Sequence, residues 1–121
     1  MPATSEHVSQ AKKNEAFLEA IKSIDGSADW GVTALFYAAV HYGRAFLAGK
    51  STTVTTHQHF QSVFLRVTSD AVAYGFYRAL QTESESSRYD CKKYDWSDVD
   101  ALKTANLVPF KNALVKHGLS I

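Results

Sequence analysis

One long apolar stretch, from Asp29 to Gly49, constrains the fold of this chain more than any other feature. Its apolar residues recur at intervals of three and four, which is the period of an α-helix. At that period most of the helix surface is apolar: Val32, Leu35, Phe36, Ala38, Ala39, Val40, Tyr42, Gly43, Ala45, Phe46 and Leu47. A helix with so little polar surface belongs inside a bundle or against a second subunit.

The rest of this helix forms one narrow strip that carries its polar groups. The strip consists of Trp30, Thr33, Tyr37, His41, Arg44 and Ala48. We expect Asp29 to cap the helix N-terminus and Gly49 to end the helix in a left-handed conformation.

Composition limits the class of protein. A chain of 121 residues with 45% hydrophobic residues predicts one globular domain over residues 1–121. A net charge of +1 gives no strong nonspecific attraction to nucleic acid. The single Cys91 and the absence of a signal-like apolar run after Met1 predict a cytoplasmic protein. Because His41 and Arg44 interrupt the long apolar stretch, we expect no membrane span.

Helical patterns also occupy the sequence on both sides of this stretch. Ser5 is the expected cap of a first helix that ends near Ile24, and the short turn after it predicts an antiparallel pair with the second helix. The inward residues of the first helix would be Val8, Ala11, Phe17, Leu18, Ile21 and Ile24. Thr56 is the expected cap of a third helix, with Phe60, Val63, Phe64 and Val67 inward, and Ser69 or Asp70 the cap of a fourth.

The C-terminal third is less regular. The polar segment 83–96 predicts that the fourth helix frays into a surface connection. Ser97 and Asp100 have the spacing of a capping box for the last helix, in which Pro109 introduces a kink or opens a new turn. No alternating strand pattern occurs, so the sequence predicts an all-α, up-and-down bundle of four to five helices.

Tyr37, His41 and Arg44 are the candidate catalytic residues. A phenol, an imidazole and a guanidinium on one helix side provide a base and a cation, which metal-free cleavage of RNA requires. The alternative is that these groups lie in a helix–helix interface, each bound to a carboxylate or a backbone oxygen.

Arg88, Tyr89, Lys92 and His57 are the candidate residues for binding RNA or a nucleotide. Cations interleaved with aromatic rings suit single-stranded nucleic acid, although aromatics in this segment would equally cover the end of a small core. His57 and His59 point in different directions on a helix, so we expect no metal site. One of them could instead face His41 or Arg44 across the bundle.

Several segments together resemble the HEPN (higher eukaryotes and prokaryotes nucleotide-binding) superfamily, especially its small stand-alone bacterial members. They are 13–18, 29–41, 56–59 and 88–89, of which the second, DWGVTALFYAAVH, is the most specific. The resemblance implies a helical bundle that forms a homodimer and binds RNA or nucleotides. Many members are metal-independent ribonucleases of toxin or defence systems.

The chain departs from the catalytic signature of that superfamily. The signature is an arginine followed five to seven positions later by a histidine, and no histidine follows Arg44, Arg66, Arg78 or Arg88 at that distance. Glu85 also stands where similar chains carry an arginine.

Three functions remain as hypotheses. The first is a HEPN-like module that binds RNA or a nucleotide without the standard ribonuclease motif. The second is a metal-independent endoribonuclease whose site is rebuilt from Tyr37, His41 and Arg44 with His57 or Arg88. The third is a structural partner of another protein, such as a nucleotidyltransferase or an antitoxin. No cofactor is implied.

Overall fold

The computed structural model describes residues 2–121, which form five helices and no β-strand. The helices are α1 (Thr4–Ala20), α2 (Ala28–Ala48), α3 (His57–Thr68), α4 (Ala71–Tyr89) and α5 (residues 96–116). Helix α5 has three consecutive parts, Trp96–Leu102, a π-helical turn at Lys103–Leu107, and Val108–Lys116. The predicted all-α helical bundle is confirmed. No helix in residues 2–121 is long and apolar enough to cross a lipid bilayer.

Helix α2 is the centre of the bundle because it packs against α1, α4 and α5. Every residue predicted on its apolar surface is buried. The predicted polar strip is its least buried side: Trp30 and Tyr37 are exposed, and Thr33, His41, Arg44 and Ala48 are half-buried. The 3.6-residue period therefore predicted both the core-facing surface and the strip correctly.

Helices α1 and α2 form the predicted antiparallel pair. At one end the Thr4 hydroxyl donates to the carbonyl oxygen of Ala45 over 3.2 Å. At the other end Leu18 packs against Gly31, where an added Cβ would lie 3.2 Å from the leucine side chain and 2.9 Å from the Trp96 ring. A glycine is needed at this position because both helices and Trp96 approach the backbone closely.

Helix α5 closes the bundle through polar as well as apolar contacts. Phe110 and Leu114 are fully buried. The buried Tyr42 of α2 donates its hydroxyl proton to Glu15 of α1, and the ammonium group of Lys111 in α5 lies 3.0 Å from the same carboxylate. The charge of Glu15 is thus satisfied where three helices meet.

Helix α1 begins and ends earlier than the sequence predicts. It starts after Ala3, and the Glu6 carboxylate accepts a hydrogen bond of 3.1 Å from the Ala3 N–H, so the prediction of Ser5 as the cap is wrong. It ends at Ala20, before Ile24. Phe17 and Ile24, predicted to face inward, are 52% and 58% exposed. Phe17 lines a surface depression with Trp30 and Tyr37 of α2, and Ile24 lies in the turn after α1.

The ends of α2 also differ from the prediction. The residue before the helix is Ser27, whose hydroxyl donates to the carbonyl oxygens of Ile21 and Ile24, and Asp29 lies within the first turn. Gly49 keeps a helical φ of −65°, and Ser51, with φ of 56°, is the left-handed residue instead.

The predicted caps of α3 and α4 are confirmed. The Thr56 hydroxyl accepts from the His59 N–H over 3.0 Å, and the Asp70 carboxylate accepts from the Ala73 N–H over 2.9 Å. Val67, predicted to face inward, is 40% exposed. It lies beyond the three buried residues of α3, near the end of the helix.

The prediction that α4 frays after residue 83 is wrong. The helix continues to Tyr89 because Ser84 is fully buried against the bundle and the Ser87 hydroxyl donates to the Asp29 carbonyl over 3.0 Å. The cap of α5 is Asp95, with Asp98 as the reciprocal partner, so the predicted Ser97 cap is displaced by two residues. The helix continues through Pro109, which lies in the first turn after the π-helical turn, where a missing N–H is tolerated.

Candidate functional site

The candidate site lies where four helices contribute polar side chains beside the strip of α2. The structure brings together Tyr37, His41 and Arg44 of α2, His57 of α3 and Arg88 of α4. Arg88 Nη1 lies 3.4 Å from the Tyr37 hydroxyl, and Arg44 and Arg88 both act electrostatically on His57. Five of the seven site residues named from the sequence therefore lie in one neighbourhood.

Helix α1 contributes His7, which sequence reasoning missed. His7 Nδ1 and His41 Nδ1 are 3.0 Å apart, and the two ring centroids are separated by 5.3 Å. Burial lowers the pKa of His7, and the positive charge of Arg44 lowers it further, whereas Glu6 raises it. Burial also lowers the pKa of His41, with His7 and Arg44 acting in the same direction. Both imidazoles are therefore neutral near pH 7.

His57 is held at the start of α3 by the Thr56 cap. Its Nδ1 shares a hydrogen bond of 3.0 Å with the buried Tyr77 hydroxyl, and its ring packs 5.2 Å from that of Phe36. Burial lowers the pKa of His57, and Arg44 and Arg88 lower it as well, whereas Glu85 raises it. The imidazole is thus fixed in position and lies within the field of two guanidinium groups.

The two arginines of the site bond to neutral oxygens. Arg44 donates to the carbonyl oxygen of Thr55 over 3.4 Å, and Arg88 donates to the carbonyl oxygen of Ser84 over 3.3 Å. The Arg88 guanidinium also lies 5.9 Å from the centroid of the Tyr37 ring. Within residues 2–121, neither arginine forms an ion pair with a carboxylate.

Lys92 and Tyr89 have different surroundings from the other candidates. Lys92 forms an ion pair of 2.9 Å with Glu83, so its charge is balanced. Tyr89 is 73% exposed, and the Arg88 guanidinium lies 5.1 Å from the centroid of the Tyr89 ring. The neighbouring Tyr94 and Trp96 do cover the end of the core: Tyr94 donates to the Glu83 carbonyl, and Trp96 donates to Ser27.

Residues 2–121 contain no group of three or more histidine, cysteine, aspartate or glutamate side chains placed to hold an ion. His59 is exposed, whereas His57 is half-buried and bonded to Tyr77. The site instead offers neutral imidazoles, which accept or donate protons, and guanidinium groups, which bind phosphate oxygens.

Comparison with models of protein families, with characterised proteins and with solved structures gave no match to this chain. Membership of the HEPN superfamily therefore stays a prediction that depends on the sequence motifs alone.

Proposed function

We propose that the face formed by α1 to α4 binds the phosphate groups of RNA or of a nucleotide, as a HEPN-like module without the arginine–histidine ribonuclease motif. The observation that carries this proposal is the placement of Arg44 and Arg88. Arg88 lies 3.4 Å from the Tyr37 hydroxyl, and Arg44 donates to the carbonyl oxygen of Thr55, two residues before His57. Both arginines lower the pKa of His57, and neither has a carboxylate ion pair within residues 2–121.

Four lysines of the described residues, unlike the two site arginines, have carboxylate partners. Lys22, Lys92, Lys103 and Lys111 each form an ion pair with a carboxylate, on α1, α4 or α5. The two site arginines keep most of their hydrogen-bonding capacity for a ligand. A guanidinium is planar and binds two oxygens of one phosphate at once, which suits this role.

Exposed aromatic rings beside Arg88 support a nucleic-acid ligand rather than a free inorganic anion. Trp30 is 65% exposed and lines a cleft with Asp29, Thr33, Ser87 and Arg88, and Arg88 in turn contacts the Tyr37 hydroxyl. Aromatic side chains next to cations allow bases to stack while the phosphates pair with the arginines. Homodimerisation and a nucleotidyltransferase or antitoxin partner stay predictions of the sequence resemblance.

The test is a fluorescence-anisotropy titration of labelled single-stranded RNA and of a labelled nucleotide. We expect salt-sensitive binding that weakens at least about tenfold in the Arg44→Gln/Arg88→Gln double variant, because two phosphate contacts are lost. Arg66→Gln/Arg78→Gln is the matched control, since it removes the same two charges. Arg66 is exposed on the side of α3 opposite to His57, and Arg78 is exposed on α4 ten positions before Arg88.

Two results would contradict the proposal. One is no binding at high micromolar protein, and the other is equal weakening in Arg44→Gln/Arg88→Gln and in Arg66→Gln/Arg78→Gln. Denaturing gels of the same mixtures, run with a metal chelator present, test the ribonuclease hypothesis. Cleavage by the wild-type protein that disappears in His41→Gln would support the hypothesis. RNA that stays intact with the wild-type protein would exclude it. Far-UV circular dichroism checks that each variant folds.

A further inference from the structure

The contact between His7 and His41 limits how many protons the two rings can hold together. Their Nδ1 atoms are 3.0 Å apart, so one nitrogen must carry a hydrogen and the other must accept it. A neutral pair satisfies this condition, and so does a pair with one added proton. A second added proton would place two N–H groups face to face. The contact is therefore compatible with a pair charge of zero or one.

Charged groups from each neighbouring helix act near this pair. Helix α1 contributes Glu6, and helix α2 contributes Arg44, which lies about one turn after His41 on the same helix and acts electrostatically on both rings. Farther along the face lies His57 of α3, on which Arg44 acts together with Glu85 and Arg88 of α4. Because burial and Arg44 both oppose a positive charge on the pair, the pair holds no added proton in the free protein near neutral pH.

We propose that an anion bound beside Arg44 draws one proton from solution onto the His7–His41 pair, so that binding is coupled to proton uptake. This inference rests on the proposed function. Burial is the first cause of the neutrality of both rings, and the charge of Arg44 adds to it. A bound anion opposes the charge of Arg44 and therefore favours the protonated pair. The hydrogen between the two Nδ1 atoms is already present in the neutral pair, so the added proton binds the free Nε2 of the ring that donates. The Nδ1–Nδ1 hydrogen bond is kept, and no rearrangement of α1 and α2 is needed.

The sign of the pH dependence follows from the direction of these changes. In the free protein the pKa of each imidazole lies below its usual value of about 6.5. A bound anion raises the pKa of the pair. Between the two values the affinity increases as pH falls, by up to about tenfold per pH unit for one proton. Above the pKa of the bound state, and below the pKa of the free state, the affinity no longer changes with the charge of the pair.

The test is titration calorimetry of the full chain with a short oligouridylate that lacks terminal phosphates. Its phosphodiesters and bases do not titrate between about pH 5.5 and 8, so any proton uptake belongs to the protein. Measurements in buffers of different ionisation enthalpy give the number of protons taken up. We expect tighter binding at about pH 6 than at 7.5 and uptake of up to one proton, which is lost in both His7→Gln and His41→Gln and retained in His59→Gln.

The outcomes separate this inference from the proposed function. RNA binding that is independent of pH, with no proton uptake, overturns the inference and leaves the proposed function intact. Loss of uptake in His57→Gln, with uptake retained in His7→Gln and His41→Gln, assigns the proton to His57 and also overturns the inference. Absence of binding at every pH rejects the proposed function itself. The wild-type measurements decide the first and third of these outcomes even if a histidine variant fails to fold, and the variants that fold decide the second.

Discussion

Glu85 is the acidic side chain that acts on the site from α4. It raises the pKa of His57 and accepts a hydrogen bond of 3.3 Å from Gln81. Its negative charge partly balances Arg44 and Arg88 and repels an anionic ligand. We expect Glu85→Gln, which keeps the shape of the side chain, to tighten RNA binding about two- to fivefold, as a partly solvated charge at this range permits.

Anisotropy titration of Glu85→Gln beside Asp100→Asn checks this prediction. Asp100 lies on α5, where it pairs with Lys22, so its replacement makes the same change in net charge away from the site. An equal gain in both variants would mean that only the net charge of the protein matters.

At the scale of single residues, periodicity predicted the strip of Tyr37, His41 and Arg44 but not the partner of His41. His7 is 34 positions away in sequence, and only the register of α1 against α2 brings the two rings together. The short turn between these helices is the feature from which this contact could have been predicted. An antiparallel pair with such a turn places the N-terminal residues of α1 beside the last turns of α2.

The cap residue of α5 also differs from the prediction. Asp95 and Asp98 have the same three-residue spacing as Ser97 and Asp100, so the capping-box pattern could not distinguish them. Tertiary packing decides: Trp96, at the first position of α5, packs over Gly31 and donates to Ser27. Such contacts between elements are not visible in a local pattern.

At the scale of helices, two glycines provide a matched test of the packing around α2. A Cβ added at Gly43 would lie 2.7 Å from the Phe60 ring, whereas one added at Gly75 of α4 meets nothing within 4 Å. We expect Gly43→Ala to lower the free energy of unfolding by about 1–3 kcal/mol through overpacking. Gly75→Ala should raise the free energy of unfolding by roughly 0.5–1 kcal/mol through helix propensity.

Urea denaturation of both variants measures these changes. Equal effects of the two substitutions would contradict the packing of α3 against α2, because they would mean that Phe60 does not approach Gly43 closely. A stabilising effect of Gly43→Ala would also contradict the close approach of Phe60 to Gly43.

The sequence predicts a helix well where an apolar face keeps it against the core. It predicts a helix less well where polar contacts to other helices stabilise the last turns. The apolar surface of α2 and the inward residues of α3 up to Phe64 followed from periodicity. The last turns of α4 did not, because residues 83–89 are polar and remain helical through tertiary contacts. Ser87 donates to α2, and the fully buried Ser84 packs against the bundle. A sequence pattern contains no information on such cross-helix bonds.

At the scale of the whole molecule, the all-α bundle with α2 at its centre follows from the sequence, whereas the composition of the site does not. His7, His41, His57 and Arg88 come from four different helices. Sequence reasoning named three of them separately, but their common location depends on how α3 and α4 pack around α2. The site therefore exists only in the assembled bundle, which makes its direct observation in the folded protein the most informative experiment.

That experiment is a ¹H–¹⁵N spectrum of the imidazole groups of the folded chain, recorded as unlabelled single-stranded RNA is added. The chain has five histidines, so each ring serves as a local probe. We predict that the signals of His7, His41 and His57 shift on binding. His59, which is exposed, and His117, which is held 2.9 Å from Asp70 at the opposite end of α4, should not shift. Shifts confined to His59 and His117, or no shift in any ring, would contradict the site.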